Sequence, residues 1–276
     1  MTIQISSQFA FSFERPTSAL LQFEVAQTPD QSDIQSETRI TDTEKFSRVA
    51  ADDGVGERIW LRGAGRIEVQ YSAQVSPKRQ HLELTDCRAI EPHDLPGDAV
   101  KYLLDSRYCR ADDFQGLVAS EFAGTHGGPR IEAIRRWIFD NFEYVPGSSD
   151  ASTNATASFI KRQGICRDYA HVFVTLARAS SIPARYVACY APGVTPQDFH
   201  AVAQVFVSSK TNPQTDNQAG GCNGYWQLVD ATGMADLSNA AVIGVGRDAA
   251  DVSFLTTFGP VEFLSSAVDV KNQVTA

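Results

Sequence analysis

The hydrophobic rhythm of this chain changes once, near Pro92, and that switch limits the folds open to it. Before it, apolar residues tend to recur at every second position, as in Ile3-Gln4-Ile5, Phe9-Ala10-Phe11-Ser12-Phe13, Leu21-Gln22-Phe23-Glu24-Val25 and Ile67-Glu68-Val69-Gln70-Tyr71. A period of two buries one face of a strand and leaves the other wet. Thr28-Pro29-Asp30, Asp52-Asp53-Gly54 and Ser76-Pro77 supply turns between the runs. Residues 1–92 are therefore expected to form an N-terminal antiparallel β domain.

Beyond Pro92 the spacing becomes helical. Residues 98–106 and 112–122 read as short helices, and Pro129, at a first-turn position, opens a third whose Ile131, Ile134, Ile138 and Phe142 share one face. A loop of small polar residues, 147–154, leads into a helix over 155–162. Gly164 interrupts it, and a new apolar period (Tyr169, Ala170, Phe173, Val174, Ala177) begins at or just before Cys166 and runs to Ser181-Ile182-Pro183. Three strand-like runs follow, 184–190, 201–207 and 225–230, with a polar Gly/Asn/Gln loop over 208–224 joining the last two. Residues 93–276 read as one mixed unit, and the whole chain as an α+β protein.

Charge and cysteine usage narrow the function classes. The formal net charge is −9, from 33 acidic and 24 basic residues, so no basic stripe is at hand to neutralise phosphates, and nucleic acid is not expected as a partner. Residues 1–13 lack both the positive start and the continuous apolar stretch of a signal peptide, and no apolar run is long enough to span a bilayer. A cytoplasmic location without membrane contact is the expectation. The five cysteines, Cys87, Cys109, Cys166, Cys189 and Cys222, form no CxxC pair, which argues against a disulfide framework or a structural zinc site. No metal or other cofactor is expected.

One cysteine has a reactive setting. Cys166 opens a helix, where unpaired backbone N–H groups and the positive end of the helix dipole favour thiolate over thiol. Taken alone, a cysteine is as often a small buried hydrophobe. His200, however, stands at the start of one expected strand and Asp230 at the end of the next, so antiparallel neighbours can bring imidazole beside carboxylate. A histidine oriented in this way can take a thiol proton, the logic of Cys/His/Asp nucleophilic catalysis.

These residues resemble the bacterial transglutaminase-like family, within the papain-like cysteine enzymes. Gly164-Ile165-Cys166-Arg167-Asp168-Tyr169-Ala170-His171 is similar to its G-[VI]-C-x-D-[FY]-A-H box, and Ile182-Pro183-Ala184-Arg185-Tyr186-Val187 to its I-P-A-R-Y-V strand entry. Asp198-Phe199-His200-Ala201 resembles the histidine box, and Trp226 through Thr232 the W-x-x-x-D-[PA]-T segment that carries the acid. Gly246-Arg247-Asp248-Ala249-Ala250-Asp251-Val252 is similar to a G-R-D-x-x-D-V stretch that follows.

The resemblance implies that Cys166 is the nucleophile, His200 the general base and acid, and Asp230 the group orienting His200. It also implies a papain-like core in which the nucleophile helix packs on an antiparallel sheet or barrel. The expected activity is that of a cysteine peptidase or amidase acting on a peptide or protein amide through a Cys166 thioester. The alternatives are a protein-glutamine acyltransferase, or a binding scaffold with an idle site.

Asn154 occupies the place where related enzymes carry a side-chain oxyanion donor, with a plain helix cap as its other reading. Asp168 and His171 are expected to be structural, as is Cys189, with Cys222 incidental. The chain departs from the family at Val202 and Gln204, where Trp and Glu are common, so a wall of the substrate cleft is expected to differ. Calcium is not implied, since no D-x-D-x-D-G loop is present.

Overall fold

A computed structural model describes residues 1–79, 83–209 and 224–273. Four strands open the chain: β1 (Thr2–Leu21), β2 (Gln31–Ile40), β3 (Lys45–Ala50) and β4 (Glu57–Pro77). They form an antiparallel sheet in which β1 lies beside β4 and β4 beside β2, with β3 also on β4. The expected alternation is seen directly. Ile3, Ile5, Phe9, Phe11 and Phe13 of β1 and Ile67, Val69, Tyr71 and Val75 of β4 all point inward and are buried.

β1 is a single strand although its pattern breaks at Glu14-Arg15-Pro16. The register against β4 shifts between Phe13 and Thr17, and Pro16, which has no N–H to give, falls within that irregularity.

β5 (Cys87–Arg88) leads to the helices α1 (Gly97–Val100), α2 (Gln115–Glu121) and α3 (Gly127–Asn141). The pair β6 (Glu143–Tyr144) and β7 (Gln163–Gly164) brackets α4 (Ala155–Lys161) and is followed by α5 (Cys166–Ala179). A second antiparallel sheet then forms from β8 (Ala184–Tyr190), β9 (His200–Ser209), β10 (Tyr225–Val229) and β11 (Ala241–Gly246), in the order β10-β9-β8-β11 with β5 on β9.

α5 packs on β8 and β9. Its Val172, Phe173 and Leu176 share a core with Ala203, Val205 and Val207 of β9 and with Ile131, Ile134 and Ile138 of α3. Of the 14 residues of α5, 12 are buried, and they include the polar Asp168, His171, Thr175 and Arg178, so the helix is enclosed on its polar as well as its apolar face. Arg178, in its last turn, is accommodated by donating to the carbonyls of Ala184, Leu104 and Arg247 and to the Ser106 hydroxyl. The chain thus has the mixed α and β architecture expected of it, with a helix laid on an antiparallel sheet.

Two strands of the second half lie in the first sheet. The sequence places residues 93–276 in one unit, but β12 (Leu255–Thr257) and β13 (Glu262–Gln273) cross back and pair with β1 in the first sheet. The apolar alternation of β1 gives no sign of which distant strand will fill its free edge. The two halves also share a core, since Tyr190, Ala241 and Ile243 pack among the residues of the first sheet, and the Tyr190 hydroxyl donates to the Phe23 carbonyl at 2.8 Å.

Candidate active site

Cys166 is placed by the residues just before it. Ile165 is extended, at φ −110° and ψ −178°, and the helix starts at the next residue. The Asp168 carboxylate turns back to accept the Ile165 N–H at 2.9 Å, which satisfies one of the donors a helix start leaves unpaired. It also accepts the Ser149 hydroxyl and pairs with Arg167 at 3.1 Å. Asp168 thus acts as a cap. A Cβ on Gly164 would stand 2.5 Å from the Asp168 Cβ, so the glycine makes room for this fold-back.

The other two groups come from the second sheet. His200 is the first residue of β9 and pairs with Cys189 on β8, while Asp230 follows the end of β10, whose Val229 pairs with Ala203 of β9. This juxtaposition brings His200 Nε2 to 3.2 Å from Asp230 Oδ2, with side chains 0% and 3% exposed.

Asp230 is held from all sides. Its Oδ1 accepts the Thr232 N–H and hydroxyl, and its Oδ2 also accepts the N–H groups of Met234 and Ala235. Burial works against its charge, but His200 and these donors prevail and keep its carboxyl below the usual range.

The ring of His200 carries the main electrostatic signature of the site. Burial opposes a charged imidazole, yet the hydrogen bond to Asp230 and then the influence of Cys166 outweigh it, and the pKa is pushed up to about 10. With Nε2 turned to Asp230, Nδ1 is buried and has no hydrogen-bond partner among the described residues. Cys166, 9% exposed, is the second group acting on the ring.

Nothing in the sequence singles out Tyr144, and yet it lies at the site. β6 and β7 pair in parallel, Tyr144 opposite Gly164, with the Val145 N–H donating to the Gly164 carbonyl at 2.9 Å. That short ladder sets the Tyr144 side chain against the cluster around Cys166. Burial first, then the electrostatic influence of Cys166, raise its hydroxyl well above the ordinary value, against the opposing effect of the Cys166 backbone N–H. The one available signal is position, a tyrosine between a helix end and the polar loop before the cysteine box.

Asn154 is a helix cap. Its Oδ1 accepts the Ala157 N–H at 2.9 Å, which occupies the side-chain oxygen and leaves the Nδ2 donors out of the cap. The loop before it is pinned by Arg167, which donates to the carbonyls of Asp150 and Thr153.

His171 lies in the core. Its Nε2 accepts the Ala249 N–H at 3.1 Å, and its ring stacks on Tyr108. Burial, then Arg167 and Arg178, hold its pKa well below the ordinary value, which leaves it neutral.

Val202 and Gln204 do not line an open cleft. Val202 packs with Val187, Leu228 and Val242, and Gln204 accepts the Arg185 Nε at 2.8 Å. Cys87, Cys109 and Cys189 are buried thiols, and burial pushes Cys109 up to about 12 and raises Cys189 as well. Cys222 and most of the 208–224 loop lie outside the described residues. Among the described residues, no three His, Cys, Asp or Glu side chains gather as metal ligands.

Residues 118–231 match the sequence model of the transglutaminase-like superfamily, a span that contains Cys166, His200 and Asp230. The crystal structure of a candidate cysteine protease from Cytophaga hutchinsonii is similar over 100% of this chain and 92% of that one, with a TM-score of 0.86 and 29% identity. An uncharacterised protein of Mycobacterium leprae is 25% identical over 124 residues, 45% of this chain and 42% of its own length. One of Mycobacterium bovis is 28% identical over 194 residues, 67% of this chain and 60% of its own length. The chain therefore spans about half the length of these mycobacterial relatives.

Proposed function

We propose, from the premise that this chain belongs to the transglutaminase-like superfamily through residues 118–231, that it is a cysteine peptidase or amidase with Cys166 as its nucleophile. The observation that carries this reading is the state of His200, buried between Asp230 and Cys166 with its pKa pushed up to about 10. An imidazolium beside the sulfur is the arrangement from which a thiolate attacks.

The Cys166 sulfur adds to the carbonyl carbon of a peptide or protein amide. The negative charge formed on the carbonyl oxygen requires donors, and the Cys166 backbone N–H and the Tyr144 hydroxyl are the adjacent pair. When the C–N bond breaks, the proton on His200 passes to the leaving amine and the acyl group remains on sulfur as a thioester. Water then gives a proton to His200 and its oxygen to the carbonyl, the C–S bond breaks, and the carboxylic acid departs. Asp230 keeps the ring oriented throughout.

Two features weigh between the alternatives. An idle scaffold has no need to keep a buried imidazole and carboxylate aligned beside a thiol, because burying such groups is costly unless they are paired. The Cytophaga relative, described as a candidate cysteine protease, favours water over an amine as the acyl acceptor.

The test is to trap the acyl group. A library of peptide amides and esters is incubated with the protein, quenched in acid and read by mass spectrometry of the peptide containing Cys166. Acyl adducts on Cys166 are expected for the wild type and not for His200→Ala. No adduct with any member of the library would return the protein to the scaffold reading.

A further inference from the structure

We propose that the cavity bounded by α3, the 3-10 turn Leu84–Asp86 and the segment after β10 binds a small apolar zwitterion, of the size of an amino acid or a dipeptide. Its volume is about 460 Å³, inside the range of about 300–1,000 Å³ usual for small-molecule sites. Asp230 lines it, while Cys166, His200 and Tyr144 do not. The site therefore lies beside the carboxylate that pairs with the His200 ring, and it stands whether or not Cys166 is a nucleophile.

The walls are locked together at two places. A Cβ on Gly128, in the first turn of α3, would stand 1.8 Å from the Leu84 carbonyl oxygen, so this glycine lets the helix and the 3-10 turn approach closely. A Cβ on Gly233 would stand 3.0 Å from the Phe139 ring, which sets the segment after β10 against the same helix. A cavity already shaped by such contacts saves a ligand the cost of ordering it.

The charged groups that line the space differ in what occupies them. Arg135 donates to both carboxylate oxygens of Glu132, at 2.7 and 2.6 Å. Asp230, 4% exposed, is taken up by His200, Thr232, Met234 and Ala235. Glu83 is exposed, and its carboxylate has no hydrogen-bond or ion-pair partner among the described residues. The Arg136 side chain is 71% exposed, and its one ion pair among the described residues is to Glu132 at 3.9 Å.

One unspent anion and one nearly unspent cation thus border a shared space, whose apolar lining includes Leu84, Leu228, Val229 and Leu237. An ammonium beside Glu83, a carboxylate beside Arg136 and a hydrocarbon chain over the leucines use all three. A ligand with one charge leaves either Glu83 or Arg136 unanswered.

The probes are leucine and leucylleucine, which carry the same two charges at short and longer spacing, with 4-methylpentanoate and 3-methylbutylamine as single-charge controls. Each is titrated into the Cys166→Ala protein, so that no amide is turned over, and binding is followed by two-dimensional amide NMR. At least one zwitterion is expected to bind more tightly than either control, with shifts gathered on the amides of Leu84, Gly233 and Ala235. Glu83→Gln is expected to weaken the zwitterion and the amine about fivefold, the upper end of what an exposed ion pair contributes, and to leave 4-methylpentanoate unchanged. Arg136→Gln is expected to do the reverse, weakening the zwitterion and 4-methylpentanoate and sparing the amine.

No binding of either zwitterion at millimolar concentration overturns the proposal. So do shifts confined to residues outside the cavity, a control that binds as tightly as the zwitterion, or a zwitterion affinity that either variant leaves at the parent value.

Discussion

The guanidinium of Arg185, on β8, lies 3.1 Å from the carboxylate of Asp53, in the turn between β3 and β4. Arg185 is almost buried, stacked 4.0 Å over the Trp226 ring. Asp53 also receives the Tyr102 hydroxyl at 2.6 Å and pairs with Lys101. A turn of the first sheet thus neutralises a buried cation on the strand beside His200.

Replacing Asp53 with Asn should therefore destabilise the protein by about 2 kcal/mol, because removing one partner strands a buried charge, reduced here since Asp53 is 21% exposed. Asn is the suitable replacement. Asp53 has φ +56°, a conformation that Asn and Asp enter more readily than other side chains. Urea unfolding measures the change, and a midpoint equal to the wild type would show that the pair does not couple the two sheets.

Replacing Tyr144 with Phe keeps the ring packed on the Cys166 cluster and removes the hydroxyl. If that hydroxyl serves the oxyanion, kcat should drop about 10²-fold with KM little altered. Steady-state kinetics on any peptide found by acyl trapping provide the check, and a variant with the parent kcat would remove Tyr144 from the reaction.

The raised pKa of His200 gives stability a direction in pH. The folded protein holds the proton to about pH 10 while the ordinary value is 6.5, so protonation favours the folded state. That contribution is complete below about pH 6.5 and is lost as pH climbs toward 10, by at most about 1.4 kcal/mol per pH unit. Asp230→Asn should flatten this fall, as well as lower kcat by about 10³–10⁴ through loss of the oriented tautomer. Denaturation midpoints from pH 6 to 10 on both proteins decide it; parallel slopes would mean that His200 carries no such linkage.

How much of this is legible in the sequence varies from residue to residue. The placement of Cys166 follows from the break at Gly164 and the apolar period after it, since a helix start is a local event. His200 and Asp230 can be matched because each sits at a strand end, where two-residue periodicity marks the boundary.

Tyr144 is not legible. It reaches Cys166 through two paired residues on either side of a 155–161 helix, too short a ladder to leave a pattern. The return of β12 and β13 to β1 is hidden for a related reason, because strand pairing depends on partners far apart in the chain, and alternation reports a face rather than a neighbour. Asn154 shows the opposite case, in which the cap is legible because it is local: its Oδ1 takes the Ala157 N–H three residues on.

The near-complete enclosure of α5 has a further meaning. A helix wrapped by α3, α4 and the second sheet has no solvent-facing side along which to fray, and its opening should require the surrounding layers to come apart with it. The Cys166 sulfur is then tied to the most enclosed helix of the molecule, and if it is the nucleophile proposed above, loss of turnover on heating and the melting of the protein should coincide as one event.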